Sequence, residues 1–141
     1  WQTGKYYYKE IVERVNKMGK PDNLIITDFV SDMGAALGAA DLVISRAGAG
    51  SISEFALLEK AVILVPSPNV AEDHQTKNAM ALVERDAARM VADKEATEKC
   101  MPLAMELLQD EPTLKRLSRN IAVLGIRDAA ERVMKQIEKE W

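Results

Sequence analysis

The sequence predicts an α/β fold, a Rossmann-like parallel sheet flanked by helices. Short apolar segments of strand length alternate with helical patterns along the chain, and this alternation is typical of parallel strands joined by helices. Residues 42–44 and 61–65 are apolar throughout, as strands covered on both faces tend to be. With 141 residues, 48% of them apolar and 29% charged, the chain is long enough for one domain with a buried core.

The elements follow from spacing and from turn residues. The first predicted helix covers residues 5–18, because apolar residues recur there at helical spacing. A break at Pro21-Asp22-Asn23 separates it from a short strand over residues 24–27, which runs on to Val30. The other predicted elements are strands over residues 42–44, 61–65 and 87–91 and helices over residues 32–40, 51–59, 73–85, 96–109, 112–123 and 127–141.

Composition narrows the class of protein. The net charge of −3 and the lack of a basic stripe give no support for a nucleic-acid partner. Cys100, the single cysteine, excludes an internal disulfide, and its place in a helical pattern predicts a small buried hydrophobe rather than a reactive thiol. No apolar run approaches the ~20 residues of a membrane span. The opening Trp1-Gln2-Thr3-Gly4 resembles the tail of a strand, so we expect the chain to be a piece of a longer protein.

The segment after the strand at 42–44 predicts a ligand site. Arg46-Ala-Gly-Ala-Gly-Ser51 is a loop of small residues that leads into a helix, and such a loop lets backbone N–H groups and the helix dipole approach an anion such as a diphosphate. Glu54, one turn into the helix, suits a sugar hydroxyl. The glycine spacing is not that of the dinucleotide fingerprint. A tight strand-to-helix turn without a ligand is the alternative.

Three residues of this segment have further structural alternatives. Ser51-Ile-Ser-Glu54 fits a capping box, in which Ser51 caps the helix and Glu54 returns a bond to the Ser51 amide. That arrangement competes with ribose binding for the same carboxylate oxygens. Arg46 suits either a phosphate or a nearby carboxylate such as Asp41.

A second candidate segment, Asp73-His-Gln-Thr-Lys-Asn78, opens the helix at 73–85. Asp73 fits an N-cap. Gln75 and Asn78, three residues apart, project from one helix face, where two amides suit sugar hydroxyls or a carbonyl. His74 is the only histidine, and a hydrogen-bonded structural residue is favoured over a general base. A metal site is not expected, because no second histidine or cysteine lies at ligand spacing. Because ligands of parallel sheets bind beyond the carboxyl ends of the strands, we expect the loops after residues 24–27, 42–44 and 61–65 to converge on one edge.

Taken together, these residues resemble the C-terminal domain of the MurG-like transferases of glycosyltransferase family 28. The resemblance covers nearly the whole chain in the expected order. Its motifs are Thr27-Asp-Phe-Val-Ser-Asp-Met33, Ala40-Asp-Leu-Val-Ile-Ser-Arg-Ala-Gly-Ala49 with Ser53-Glu54, Leu64-Val-Pro-Ser-Pro68, Asp73-His-Gln75 with Asn78-Ala79, and Asp128-Ala-Ala-Glu-Arg-Val133. One departure is Glu59-Lys60-Ala61, where the family usually has Gly-x-Pro, and we expect it to alter a turn.

The resemblance implies the GT-B architecture of two Rossmann-like domains and the transfer of N-acetylglucosamine (GlcNAc) from UDP-GlcNAc to undecaprenyl-diphosphate-muramoyl-pentapeptide in peptidoglycan synthesis. It implies that this domain binds the donor, with no metal and no cofactor. In that pattern Val30 meets the uracil through its backbone with Phe29 beside it, and Glu54 takes the ribose hydroxyls. Gln75 faces the GlcNAc, joined by His74 and Asn78. The diphosphate and ribose are lined by Ala49, Gly50, Ser51, Ile52 and Ser53.

The resemblance also implies what this chain lacks. The first strand of this domain and the whole N-terminal domain, with the acceptor site, the general base and the membrane contact, would precede Trp1. We therefore expect no catalytic residue in residues 1–141, and a protein that is peripheral on the cytoplasmic face of the bacterial membrane. Two alternatives stay open: a nucleotide-sugar 2-epimerase, against which the single histidine weighs, and a UDP-GlcNAc-binding subunit of another family 28 transferase.

Overall fold

The computed structural model describes residues 1–69 and 73–140, without the side chains of Ala129, Ala130, Val133 and Glu140. The chain forms two compact units, Trp1–Gly38 and Ala39–Trp141, called here the N-terminal unit and the C-terminal unit. In the described ranges no helix is both long and apolar enough to cross a membrane.

The N-terminal unit is built on helix α1 (Tyr8–Lys17) and ends within helix α2 (Met33–Ala39). The prediction of a helix at each place is confirmed. The Asp32 carboxylate accepts a hydrogen bond from the Ala35 N–H at 2.9 Å, which satisfies one of the open donors of the first turn of α2.

The predicted strand over residues 24–27 is wrong. Only Thr27 pairs in parallel, in an isolated bridge with Gln2. Two backbone bonds of 2.9 Å form this bridge, from the Thr27 N–H to the Trp1 carbonyl and from the Thr3 N–H to the Thr27 carbonyl. A strand exists only as part of a ladder, and residues 1–3 pair at a single position.

The C-terminal unit contains a three-stranded parallel sheet flanked by helices, in the order β1 (Val43–Ser45), β2 (Val62–Leu64), β3 (Arg89–Met90). Val43 lies opposite Val62, and Ile63 lies opposite Arg89. The predicted α/β class is confirmed. The helices are α3 (Ala49–Leu57), α4 (His74–Val83), α5 (Ala96–Gln109), α6 (Glu111–Ala122) and α7 (Ala129–Glu140), with a 3₁₀ turn at Asp93–Glu95. Trp141, which the last predicted helix included, lies outside the described residues.

One buried cluster lies between the sheet and helices α5 and α6, and further buried residues lie in α3 and α4. All three residues of β2 are fully buried, which explains why this strand is apolar at every position. Ile63 packs with Cys100, Ala104 and Leu107 of α5 and with Leu117 of α6. The prediction that Cys100 is a buried hydrophobe is confirmed, and burial raises the pKa of its thiol.

The departure at Glu59-Lys60-Ala61 lies in a turn, as expected. Glu59 has a φ of 56°, in the left-handed region that glycine enters at lower cost. The Arg127 guanidinium pairs with the Glu59 carboxylate at 2.8 Å. This turn leads into the amino end of β2, so it lies at the edge of the sheet away from the carboxyl ends of the strands.

Candidate functional site

The candidate site lies at the carboxyl edge of the sheet in the C-terminal unit. Because β1 and β2 are parallel and adjacent, the residues that follow them leave the sheet at the same edge. The loop after β1 leads to α3, and the loop after β2 leads to α4. Residues 70–72 of the second loop lie outside the described residues.

Helix α3 begins with backbone donors that have no acceptor among the described residues. Its N-cap is Gly48, with φ −67° and ψ 142°, and the first bond within the helix runs from the Ile52 N–H to the Gly48 carbonyl at 3.0 Å. The N–H groups of Ala49, Gly50 and Ser51 have no acceptor among the residues that the structure describes. Ala49 and Gly50 are exposed. These donors and the positive end of the helix dipole therefore face open space and suit an anion.

The predicted capping box is wrong, because α3 begins two residues earlier than expected. Ser51 is the third residue of the helix, so its side chain cannot cap the first turn and Glu54 has no N-cap amide at Ser51 to bond. Glu54 is exposed, and none of its described neighbours forms a hydrogen bond or ion pair with its carboxylate. Ser53 uses its hydroxyl to donate to the Ala49 carbonyl at 3.0 Å, and Ile52 is half-buried.

Helix α4 presents two amide side chains to the loop after β1. The Gln75 Oε1 atom accepts from the Ala47 N–H at 3.2 Å and from the Ser67 N–H at 2.9 Å. The Asn78 Nδ2 group donates to the Ala47 carbonyl at 3.1 Å. Gln75 and Asn78 therefore lie on one face of α4 and bond to backbone, a use of these amides that the sequence did not reveal.

The start of α4 differs from the simplest expectation. Asp73 occupies the N-cap position, but its side chain makes no cap hydrogen bond, and its backbone is left-handed with φ 55°. His74 is exposed and is the first residue of the helix. Over residues 1–69 and 73–140, no group of three or more histidine, cysteine, aspartate or glutamate residues is placed to hold a metal ion.

Arg46 pairs with a carboxylate, but not with Asp41. Its guanidinium lies 2.5 Å from the Asp93 carboxylate and donates to the Val65 carbonyl at 3.3 Å. Both side chains are partly exposed, so the pair contributes little stability by itself. Asp93 was missed in the sequence, although a residue that follows β3 reaches the same edge as a residue that follows β1.

In the N-terminal unit, Val30 is half-buried and its N–H donates to Gln2 Oε1 at 2.8 Å. Phe29 is 64% exposed, and its carbonyl accepts from the Thr27 hydroxyl at 2.9 Å. Gln2 was not singled out in the sequence. The prediction that the loops after β1 and β2 meet at one edge of the sheet is confirmed. It stays a prediction that the segment at Phe29 and Val30 lies beside these two loops.

Comparison with known proteins shows which family and which solved structures this chain is similar to. The model of the glycosyltransferase family 28 C-terminal domain matches residues 1–133. The crystal structure of Acinetobacter baumannii MurG matches with a TM-score of 0.82 at 28% identity, over 98% of this chain and 40% of that chain. The glycosyltransferase VinC, at 23% identity and a TM-score of 0.63 over 78% of this chain and 27% of that chain, shares the fold.

Eight similar proteins share the name UDP-N-acetylglucosamine--N-acetylmuramyl-(pentapeptide) pyrophosphoryl-undecaprenol N-acetylglucosamine transferase. The protein of that name from Bacteroides thetaiotaomicron is 58% identical over 139 residues, which are 99% of this chain and 37% of that protein. The one from Cytophaga hutchinsonii is 47% identical over 137 residues, 97% of this chain and 36% of that protein. The chain therefore spans little more than a third of the length of these relatives.

The parallel sheet and the open helix terminus at its carboxyl edge define a Rossmann-like domain of the kind that forms the C-terminal half of GT-B glycosyltransferases. The chain belongs to glycosyltransferase family 28.

Proposed function

We propose that this chain is the donor-binding part of a transferase that moves GlcNAc from UDP-GlcNAc onto undecaprenyl-diphosphate-muramoyl-pentapeptide in peptidoglycan synthesis. The observation that carries the proposal is the N-terminus of α3, where three backbone donors without described acceptors lie at the carboxyl edge of the sheet. Glu54 follows one turn later with an exposed carboxylate. Backbone donors that suit a diphosphate, followed one turn later by a carboxylate that suits hydroxyls, fit a nucleoside diphosphate. We take the identity of the sugar and of the acceptor from the names of the relatives.

The backbone at the start of α3 takes the diphosphate in this proposal. A Cβ atom added at Gly48 or Gly50 would meet no atom of the described residues within 4 Å, and neither glycine has a positive φ. Packing among the described residues therefore does not require glycine at these positions. A ligand that approaches the backbone closely accounts for both. Ala49, Gly50 and Ser51 would contact the phosphates, with Ile52 and Ser53 completing the wall.

Other residues are proposed to bind the ribose, the uracil and the GlcNAc of the donor. Glu54 would accept hydrogen bonds from the ribose hydroxyls. The uracil would meet Val30 through the backbone, with Phe29 beside it, and since the Val30 N–H already has Gln2 as its acceptor, we assign the uracil N3–H to the Val30 carbonyl. Gln75 would face the GlcNAc, with His74 and Asn78 beside it.

The chemistry assigned to this chain is stabilisation of the leaving group. When the bond between GlcNAc and the β-phosphate breaks, negative charge develops on the departing diphosphate. Fixed N–H groups and the α3 dipole stabilise that charge because they already point at it. No residue of this chain is assigned as a general base. The base, the acceptor site and the membrane contact are assigned to an N-terminal domain, in a two-domain protein on the cytoplasmic face of the membrane.

The test is transfer of labelled GlcNAc by the full-length protein that carries this chain. We expect label in the undecaprenyl-linked product, dependence on the lipid acceptor, and loss of the reaction when UDP-GlcNAc is replaced by UDP-glucose. Residues 1–141 alone are expected to be inactive and to bind UDP-GlcNAc weakly or not at all. Conversion of UDP-GlcNAc without any lipid acceptor would contradict the proposal and favour an epimerase.

A further inference from the structure

Ala47 is held on both of its backbone polar groups by side chains of α4. Its N–H donates to Gln75 Oε1 at 3.2 Å, and its carbonyl accepts from Asn78 Nδ2 at 3.1 Å. The residue itself is fully buried. Ala47 immediately precedes Gly48, the N-cap of α3, so its orientation fixes the direction in which the chain enters that helix.

The same side chains connect the neighbouring loops. Gln75 Oε1 also accepts from the Ser67 N–H at 2.9 Å, so one oxygen joins the loops that follow β1 and β2, and both of its acceptor directions are used. Arg46 extends the connection to the loop after β3 through Asp93, and it also binds the Val65 carbonyl. The entry to α3 is therefore attached to the carboxyl ends of all three strands.

We propose that Gln75 and Asn78 are positioning residues for the N-terminus of α3. By holding Ala47 they aim the N–H groups of Ala49 and Gly50, and a donor site that is already aligned binds without the cost of ordering it. The inference rests on the proposed function, since it takes the diphosphate as the group that these N–H groups bind. It goes further because it assigns both amides a part in binding UDP itself.

This role is compatible with contact to the sugar. The bonds to backbone leave the Gln75 Nε2 group and the Asn78 Oδ1 atom for hydroxyls of the donor. The two roles differ in what they predict for UDP, which lacks the GlcNAc. Residues that only read the sugar affect UDP-GlcNAc alone, whereas residues that position α3 affect UDP and UDP-GlcNAc alike.

The experiment measures the affinities of UDP-GlcNAc, UDP and uridine for Gln75→Met and Asn78→Ala variants of the full-length protein that carries this chain. Each variant removes one of the two hydrogen bonds that hold Ala47, and Gln75→Met also removes the bond to the Ser67 N–H. We therefore expect affinity for UDP and for UDP-GlcNAc to fall together by about five- to tenfold. Affinity for uridine, which lacks the diphosphate, should change less than about twofold. Gln109→Met, at an exposed site at the end of α5, is the matched control and should leave all three affinities unchanged.

The outcomes separate the inference from the function on which it rests. If the wild-type protein does not bind UDP, the proposed function fails. If it binds UDP and the variants lose only UDP-GlcNAc affinity, the amides read the sugar and the positioning role is overturned. Equal losses for all three ligands would indicate general damage to the fold and would also overturn it.

A measurement on the wild-type protein covers the case in which the variants do not fold. Ser67 is half-buried, and Gln75 Oε1 is the acceptor of its backbone N–H. Its protection from hydrogen exchange should be present in the free protein and persist when UDP-GlcNAc binds. Loss of that protection on binding would mean that Gln75 leaves the backbone for the sugar, against the inference.

Discussion

Two helices of the C-terminal unit begin in opposite ways. At the start of α6 the Asp110 carboxylate accepts from the Thr113 N–H at 3.1 Å, and Pro112 lies in the first turn. At the start of α3 the N-cap is Gly48, which has no side chain, and the next three N–H groups have no acceptor within the described ranges. One terminus is satisfied by the sequence around it, and the other is left open.

The difference separates a structural terminus from one available to a ligand. A side-chain cap is worth about 1 kcal/mol on average, so a helix without one gives up stability. Helix α3 begins at the carboxyl edge of the sheet, where α/β proteins bind their ligands, and α6 follows α5 directly. The open terminus therefore lies where an external anion can replace the missing cap.

The largest effect is expected from closing the open terminus. Gly48→Asp places a carboxylate where the diphosphate is proposed to bind, so affinity for UDP should fall by about 100-fold through charge repulsion and competition for the N–H groups. The fold should tolerate the change, since φ at Gly48 is −67° and an added Cβ meets no atom within 4 Å. Isothermal titration calorimetry of the full-length protein with UDP measures the change in affinity.

Gly48→Asn is the matched control for that experiment. Asparagine caps about as well as aspartate but carries no charge, so the loss of affinity should be clearly smaller than with Gly48→Asp. Unchanged UDP affinity in Gly48→Asp would mean that the N-terminus of α3 does not bind the diphosphate, and the functional difference between the two helices would disappear.

The next effect concerns the carboxylate beside the open terminus. Glu54→Ala should raise KM for UDP-GlcNAc by a factor that corresponds to roughly 1.5–3 kcal/mol, because a charge-assisted hydrogen bond to the ribose is lost. KM for the lipid acceptor should change much less. Steady-state kinetics of the full-length protein measures both. Glu98→Ala, at an exposed position of α5, controls for the loss of one negative charge, and equal effects of the two variants would contradict the assignment.

A smaller effect, on stability alone, is expected at the capped terminus. Asp110→Ala removes the acceptor of the Thr113 N–H, so the melting temperature should fall by a few degrees while UDP affinity stays unchanged. Asp110→Asn keeps an acceptor and should restore most of the loss. Thermal unfolding followed by circular dichroism provides the measurement, and a loss of UDP affinity in Asp110→Ala would show that the two termini are coupled.

The smallest effect is a dependence of stability on pH at the capped terminus of α6. The hydrogen bonds from Thr113 lower the pKa of Asp110, so the carboxylate stabilises the folded state at pH values above its unfolded pKa of about 3.9. That contribution is lost as the pH falls through the lower folded pKa. The Thr113 amide shift in NMR spectra should titrate below the usual aspartate range and should not do so in Asp110→Asn. Titration at the ordinary aspartate pKa would contradict the cap.

Local patterns predicted most of the elements. The bounds of α5 were predicted from apolar spacing, and the sheet was predicted from apolar segments that are buried as expected in β2. The residues at 24–27 could not show by themselves whether they form a strand, because a strand needs a pairing partner from elsewhere in the chain. The start of α3 was placed too late because Ser51 and Glu54 imitate a capping box, and only the extended backbone at Gly48 excludes it.

The partners of the site residues were the least predictable part. Arg46 was expected to meet a phosphate or a nearby carboxylate such as Asp41, and its partner is the carboxylate of Asp93, 47 positions away in the sequence. The bonds from Gln75 and Asn78 to Ala47 also join residues about 30 positions apart. Such contacts depend on which loops the sheet order brings to one edge, and no local pattern records that order.

By itself, the sequence determined the alternation of strands and helices, the loop of small residues before Glu54 and the family to which the chain belongs, because periodicity, residue size and motif order are properties of the chain. Tertiary structure alone decided that α3 begins at Ala49 with open N–H groups and that two amides of α4 hold Ala47. The physical reason is that hydrogen bonds between distant loops form only after the parallel strands have aligned the ends of those loops.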